Sequence, residues 1–275
     1  MDDAKRTDET RMGNEMTGQT AELRFAAHTD RGQVRPNNQD AFHAAPPPAP
    51  HAATHGHLFI VADGMGGHAA GEVASQIACE ALREHYYASA LAAGADPSPL
   101  LVSGMAVANQ RIRADAAAHP DRHQMGTTCL AVVVRDGRFW VAHAGDSRLY
   151  LLHADELYLL TRDHNVAEEL LADGKIDARE AATHSGQHIL TRALGADAKL
   201  EPELREPHAL EMGDRLLLCS DGLIRVVTDE EIAAVLTRQD PQQAVTTLVA
   251  EANRRGAPDN VTVVVIRRRA IGSSG

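Results

Sequence analysis

The order of strand-like and helix-like segments predicts an α+β layered domain that takes up nearly the whole chain. Most strand-like runs follow one another at hairpin spacing, and the helical patterns fall into two groups of two. Strands and helices do not alternate, which excludes a doubly wound parallel sheet. A chain of 275 residues with 44% apolar and 24% charged side chains can bury a sizeable single core. Aromatics make up only 3%, so aliphatic side chains and alanine must build it.

The elements read in order as follows. Residues 1–20 are polar and charged, lack the apolar stretch of a secretory signal, and read as a disordered tail. Glu22 to His28 reads as a strand that ends in the polar run Thr29-Asp30-Arg31-Gly32. A Pro-, Ala- and His-rich connection from Ala44 to Gly56 follows. Its neighbours His51, His55 and His57 raise a zinc clip, but no cysteine lies nearby and prolines stiffen the loop, so the reading is a solvated surface connection. The apolar run Leu58–Ala62 leads to Asp63-Gly64-Met65-Gly66-Gly67-His68, then to a helix over residues 69–92 with Val73, Ile77 and Ala81 on one face. A second helix spans 99–118 and stops before Pro120.

Four strands are expected at Thr128–Val134, Phe139–His143, Leu149–His153 and Glu156–Leu160, with Asp136-Gly137 as the hairpin turn between the first two. Asn165-x-x-Glu168 opens a short helix that Gly174 ends, and residues 174–188 are polar without periodicity. After the strand Arg215–Cys219 come two helices, one started by Thr228 with Glu231, the other by Asp240 with Pro241 and closed by Gly256. Val261–Ile266 is the last strand, and residues 269–275 read as a tail.

Charge narrows the function classes. A net charge of −11 argues against a nucleic-acid backbone or an anionic membrane as the main partner. It leaves room for a phosphorylated substrate where cations are gathered locally or metal ions are carried. No run approaches the roughly 20 apolar residues of a membrane-spanning helix. The three cysteines sit in apolar surroundings, which suits free thiols in a reducing cytoplasm.

The informative feature is where the aspartates fall. Asp63 and Asp221 each end an apolar run and precede a glycine, Asp146 ends Trp140–Gly145, Asp259 stands just before the last strand, and Asp40 precedes a short one. A strand ending in Asp-Gly aims a carboxylate into a cleft while the glycine turns the chain, although a single Asp-Gly is most often a plain turn. Converging carboxylates repel unless a cation sits between them, and oxygen-only ligands favour Mg²⁺ or Mn²⁺ over zinc. Two such ions about 3.5–4 Å apart can share and activate a water in line with a phosphorus atom. Arg35, in Gly32-x-x-Arg35, is the candidate for gripping the phosphate oxygens.

The motifs, in order, carry a resemblance. Thr29-Asp30-Arg31-Gly32-x-x-Arg35-x-x-Asn38-Gln39-Asp40 and Val61-Ala62-Asp63-Gly64-Met65-Gly66-Gly67-His68 open the series. Met125-Gly126-Thr127-Thr128, Ala144-Gly145-Asp146-Ser147-Arg148, Leu190-Thr191-Arg192-Ala193-Leu194-Gly195, Ser220-Asp221-Gly222-Leu223 and Asp259-Asn260-Val261-Thr262 follow. Together they resemble the metal-dependent serine/threonine protein phosphatases of type 2C (PPM), bacterial branch, over residues 21–268. The resemblance implies a four-layer αββα sandwich with metals in a cleft between two antiparallel sheets. It implies Asp63, Asp221 and Asp259 as ligands of two Mn²⁺ or Mg²⁺ ions, with the Gly64 carbonyl as a further ligand. Asp40 would hold metal-bound water, Asp146 with Asp221 a third ion, and Arg35 the substrate phosphate. Residues 165–190 would form a mobile flap beside the cleft.

The implied reaction is hydrolysis of phosphoserine and phosphothreonine by a metal-bridging hydroxide, on proteins phosphorylated by a partner serine/threonine kinase, by a monomer. The competing reading is a catalytically inactive module of the same fold that binds phosphoproteins or a regulatory partner. It is disfavoured because Asp63, Asp221, Asp259, Asp40 and Arg35 are all kept. Two departures stand out: Gln39 where relatives carry an acid, and Met65 where animal relatives carry a histidine proposed as general acid. His68 is a weak substitute, better read as packing. Cys129…Arg135 and Cys219…Arg225 have the spacing of cysteine phosphatases. The first encloses a strand interior, and the second places Asp221 inside the would-be phosphate loop.

Overall fold

A computed structural model describes residues 21–49, 51–66 and 70–270. The apolar run before Asp63 becomes the middle of a strand buried on both faces, and that double burial sets the layering. Strands are β1 (Ala21–Asp30), β2 (Asp40–Ala44), β3 (His57–Met65), β4 (Gly126–Thr127), β5 (Cys129–Arg135) and β6 (Arg138–Ala144). They continue with β7 (Arg148–His153), β8 (Glu156–Leu159), β9 (Glu203–Ala209), β10 (Arg215–Cys219) and β11 (Val261–Ala270). Helices are α1 (Ala70–Ala88), α2 (Ser98–Ala118), α3 (Val166–Ala172), α4 (Ala178–Ala181), α5 (Asp221–Ile224), α6 (Asp229–Arg238) and α7 (Pro241–Arg254).

One antiparallel sheet runs β1-β11-β10-β7-β8 and the other β2-β3-β5-β6-β9, with β4 attached to β3. Period-two alternation sends one set of side chains to each face. Phe59, Val61, Leu130, Val132, Leu216, Leu218, Val264 and Ile266 meet between the sheets. Leu58, Ile60 and Ala62 face α1 and α2, while Leu217, Cys219, Val263 and Val265 face α6 and α7. The expected αββα sandwich is thus present, with three apolar layers and the thiols of Cys79, Cys129 and Cys219 free and buried. Burial pushes the Cys129 and Cys219 thiols up to about 12, so neither is a nucleophile.

Local signals hold where geometry is local. Asp136 and Gly137 both take positive φ (51° and 72°) between β5 and β6, as a two-residue hairpin requires. The Asn165, Thr228 and Asp240 side chains cap α3, α6 and α7, and Thr228 with Glu231 forms a reciprocal capping box. Residues 174–188 are less irregular than expected. Asp177 and Glu180 build a second capping box that opens α4, and a 3₁₀ turn follows at Ser185–His188.

The last strand extends to Ala270, into the residues 269–275 that the sequence predicts as a tail, because Arg269 and Ala270 pair with Glu22 and Ala21 of β1. The tails at residues 1–20 and 271–275 lie outside the described residues. Of the three histidines in that connection, His51 and His55 contact each other through ring nitrogens (3.4 Å), while His57 stacks on Phe59. His55 is buried, bonded to the Ser89 carbonyl (3.0 Å) and packed on Tyr86, so the loop is anchored rather than merely solvated.

Candidate active site

The ends of β3, β10 and β11 meet at one edge of the sandwich, where a cavity of about 420 Å³ opens. Arg35, Asp63, Gly64, Asp146, Asp221 and Asp259 line it, together with Gln39, Met65, Thr128, His188, Leu190 and Arg225. Asp40 is outside that lining. It lies buried with Oδ2 accepting from Ser220 Oγ (2.7 Å) and Thr262 Oγ1 (2.6 Å), and Oδ1 without a partner. Asp40 and Asp63 are directly opposite in the β2–β3 register, which brings the two carboxylates to one place from strands 23 positions apart in sequence.

The two Asp-Gly pairs work differently from a turn. β3 continues through Gly64 to Met65, and α5 begins at Asp221. At Gly64 a side chain would strike the carbonyl oxygens of Gly71 and Gln39, the latter accepting from Gly64 N (3.1 Å). At Gly222 it would strike the Asn260 carbonyl. Both glycines permit close backbone approach beside an acid, not a reversal of the chain. Thr128 fixes Asp63, its Oγ1 accepting from Asp63 N (2.9 Å) and its N donating to Asp63 O (2.9 Å).

The loop 31–39 lacks regular structure and is latched by Asn260. The Asn260 amide donates to the carbonyls of Arg31 (2.8 Å) and Asn37 (2.9 Å), and its oxygen accepts from Gln39 N (2.8 Å). The turn bearing Asp146 is held from behind. His164 N donates to Gly145 O (2.9 Å), His164 Nδ1 accepts from Gly145 N (3.1 Å), and Arg148 makes a two-pronged pair with Asp163 (2.9 and 2.8 Å). Burial lowers the His164 pKa, which keeps Nδ1 an acceptor.

The electrostatics are those of crowded carboxylates. Burial, then the charges of Asp40, Asp221, Asp146 and Asp259, push Asp63 well up. Burial raises Asp40 to about 7 against the pull of the two hydroxyls, and raises Asp146 to about 7 with help from Asp221 and Asp163. Asp221 is raised by burial although Arg225 opposes the shift. Two guanidinium groups supply the counter-charge. Arg35 pairs with Asp259 (2.8 Å), and Arg225 pairs with Asp221 and reaches Asp259 at 3.6 Å. Among the described residues no three acids, histidines or cysteines already form a closed metal cage. The donor set still fits hard divalent cations: all are oxygens, they face one another, and Asp40 Oδ1 and Asp221 Oδ1 are buried without hydrogen-bond partners.

The family model described as Protein phosphatase 2C matches residues 26–254. The chain belongs to the protein phosphatase 2C family. Its relatives in that family include the serine/threonine protein phosphatase PstP of Mycobacterium tuberculosis (strain ATCC 25618 / H37Rv), 40% identical over 248 residues that cover 90% of this chain and 45% of PstP. The chain therefore spans about half the length of that relative. The serine/threonine phosphatase stp of Listeria innocua is 34% identical over 87% of this chain and 94% of its own. A crystal structure of the catalytic domain of PstP in complex with two manganese ions superposes with a TM-score of 0.78 at 39% identity, covering 91% of this chain and 100% of that one. Bacterial members are thus its neighbours in both sequence and fold.

Within this phosphatase 2C domain, sequence reasoning missed Arg225, His188, Leu190 and Thr128. Arg225 had a signal, since it stands four residues after Asp221 on a helix and contacts it there. The cysteine-phosphatase spacing also ended on Arg225, yet Cys219 faces the helix layer away from the cavity. Met65 lines the cavity and offers no proton. The Gln39 side chain lies against Gly71. His68 lies outside the described residues.

Proposed function

We propose that the chain is a metal-dependent protein serine/threonine phosphatase that hydrolyses phosphoserine and phosphothreonine in proteins. The observation that carries this is the convergence of Asp63, Asp146, Asp221 and Asp259 on one cavity also lined by two arginines, over a fifth buried acid. Asp63, Asp221 and Asp259, with the Gly64 carbonyl, are the groups proposed to hold two Mn²⁺ or Mg²⁺ ions, with Asp40 beneath them. Such ions activate water and screen the phosphoryl oxygens.

The chain's own residues supply the rest. Asp40 Oδ2 is saturated by two hydroxyls, which leaves Oδ1 as an unused acceptor that would hold a metal-bound water beneath the cavity. Arg35 has a half-exposed side chain and presents a two-pronged donor to phosphate from the cavity rim. Arg225 occupies the space beside Asp221, Asp259 and Asp146, so it competes with cations there and disfavours a third ion. With Asp221 engaged by an ion, the Arg225 guanidinium would be available as a second donor for the substrate phosphate. His188 and Leu190 bring residues 165–190 to the cavity wall, where that segment selects among phosphoproteins. The preferred substrates are targets of a partner serine/threonine kinase, met by a monomer in the cytoplasm, where the three free thiols are stable. Among the described residues no helix is long and apolar enough to cross a membrane.

Phosphate release from a phosphothreonine peptide, with a phosphotyrosine peptide beside it, tests the reading. Activity should require added Mn²⁺, vanish with EDTA and favour phosphothreonine. Asp221→Asn should lower turnover by about 100-fold or more with an unchanged circular dichroism spectrum. Turnover that survives both the substitution and the chelator refutes the mechanism, and a folded, metal-loaded protein without turnover points to an inactive binding module.

A further inference from the structure

At the far end of β10 and β11 a second cavity, of about 680 Å³, is lined by Arg24, Arg215, Arg238, Arg267 and Arg269. The first turn of α7, residues 240–243, forms another wall. In a chain of net charge −11 this is a concentrated positive patch. It follows from strand register: Arg24 is opposite Arg267, and Arg267 is opposite Arg215, so three arginines form one row across β1, β11 and β10. Adjacent strands lie about 4.8 Å apart, and like charges directly opposite one another are destabilising. All three share the sheet face of Ala26, Leu217 and Val265, just beyond the area that α6 and α7 cover.

Among the described residues the nearby acids answer only part of that charge. Glu22 pairs with Arg24 (3.0 Å) and Arg269 (3.1 Å) at the outer edge. Asp240 spends an oxygen capping Gln243 N (2.9 Å). Arg215 is only 7% exposed, and its Nε and Nη1 are buried without hydrogen-bond partners, as is Arg267 Nε. Burial and the adjacent Arg267 charge push the Arg215 pKa down against the pull of Asp155 and Asp240. A buried guanidinium with unused donors is costly unless an anion completes it.

We propose that this pocket binds a small, multiply charged phosphate anion of the pyrophosphate or nucleoside-polyphosphate class. A single negative charge cannot answer both Arg215 and Arg267, whereas linked phosphates match successive guanidinium forks. The positive end of the α7 dipole adds to the attraction. Arg267 is six residues along β11 from Val261, about 20 Å from the acid cleft, so this is a separate site. The proposal stands independently of the phosphatase reading.

Titration calorimetry on the full chain, freed of divalent ions over a chelating resin and kept at low salt, tests it with inorganic pyrophosphate and with a nucleoside triphosphate. Pyrophosphate should bind with a Kd below about 100 µM. The pair Arg215→Met with Arg267→Gln should weaken binding about tenfold or more, and the exposed Arg238→Gln, which risks no folding defect, about threefold. Arg35→Ala in the acid cleft should leave the affinity within about twofold. A tighter triphosphate shows that its third phosphate or its nucleoside adds contacts, and equal affinity assigns the site to two linked phosphates alone; both outcomes uphold the proposal. No binding at about 1 mM, binding untouched by the Arg215, Arg267 and Arg238 changes, loss on Arg35→Ala, or capture of a phosphothreonine peptide in place of pyrophosphate would each overturn it.

Discussion

At one end of β10 and β11 stand Asp221 and Asp259, each held by an arginine; at the other stand Arg215 and Arg267, neighbours of like charge. In the cleft four acids outnumber two guanidinium groups, and in the far pocket five arginines outnumber the described acids that reach them. Neither cluster is neutral by itself. The surplus at each end matches the sign of the partner proposed for it: divalent cations for the cleft, polyanions for the pocket. An arginine's worth to the fold therefore depends on whether its charge is already answered.

Arg148 is the answered case, and breaking it should give the largest effect on stability. Arg148→Met strands Asp163, which is 8% exposed, and should destabilise the protein by about 3 kcal/mol in urea unfolding. A neutral outcome would mean that ion pairs around Asp146 contribute little. Arg225 is a competitor rather than a strut. Arg225→Ala should tighten Mn²⁺ binding about tenfold by calorimetry while raising KM for a phosphopeptide. Weaker metal binding in that variant would make Arg225 a support of the site and erase the contrast. The smallest effect belongs to Arg215, the unanswered case. In anion-free buffer Arg215→Met should hold or raise stability by up to about 1 kcal/mol, the opposite sign to Arg148→Met. A loss of several kcal/mol would show that Arg215 already has its partner.

The layered fold was legible because its causes are local or periodic. Asp136-Gly137, the caps at Asn165, Thr228 and Asp240, and the doubly buried run before Asp63 all behave as their chemistry dictates. β9 escaped notice because Glu203–Ala209 is a polar edge strand with Pro207 in it, kept in place by β6 and a bulge rather than by its own pattern. α4 had a readable signal in Asp177-x-x-Glu180 that the surrounding polar sequence masked. The acids of the site were readable from their positions beside strands, but the reason for their glycines was not. Close approach of Gly71 to Gly64 and of Asn260 to Gly222 is a tertiary fact. Arg225 was hidden for the same reason, since on four helical residues it resembles an ordinary surface pair until β11 brings Asp259 to it.

Asn260 ties the residues that carry Arg35 and Asp40 to the start of β11 through one primary amide. Hydrolysis of that amide to a carboxylate would exchange two donors for acceptors facing the carbonyls of Arg31 and Asn37, and both would repel it. The loop proposed to carry the phosphate and water contacts therefore depends on one side-chain amide, and Asn260→Asp should lower turnover while the circular dichroism spectrum stays unchanged.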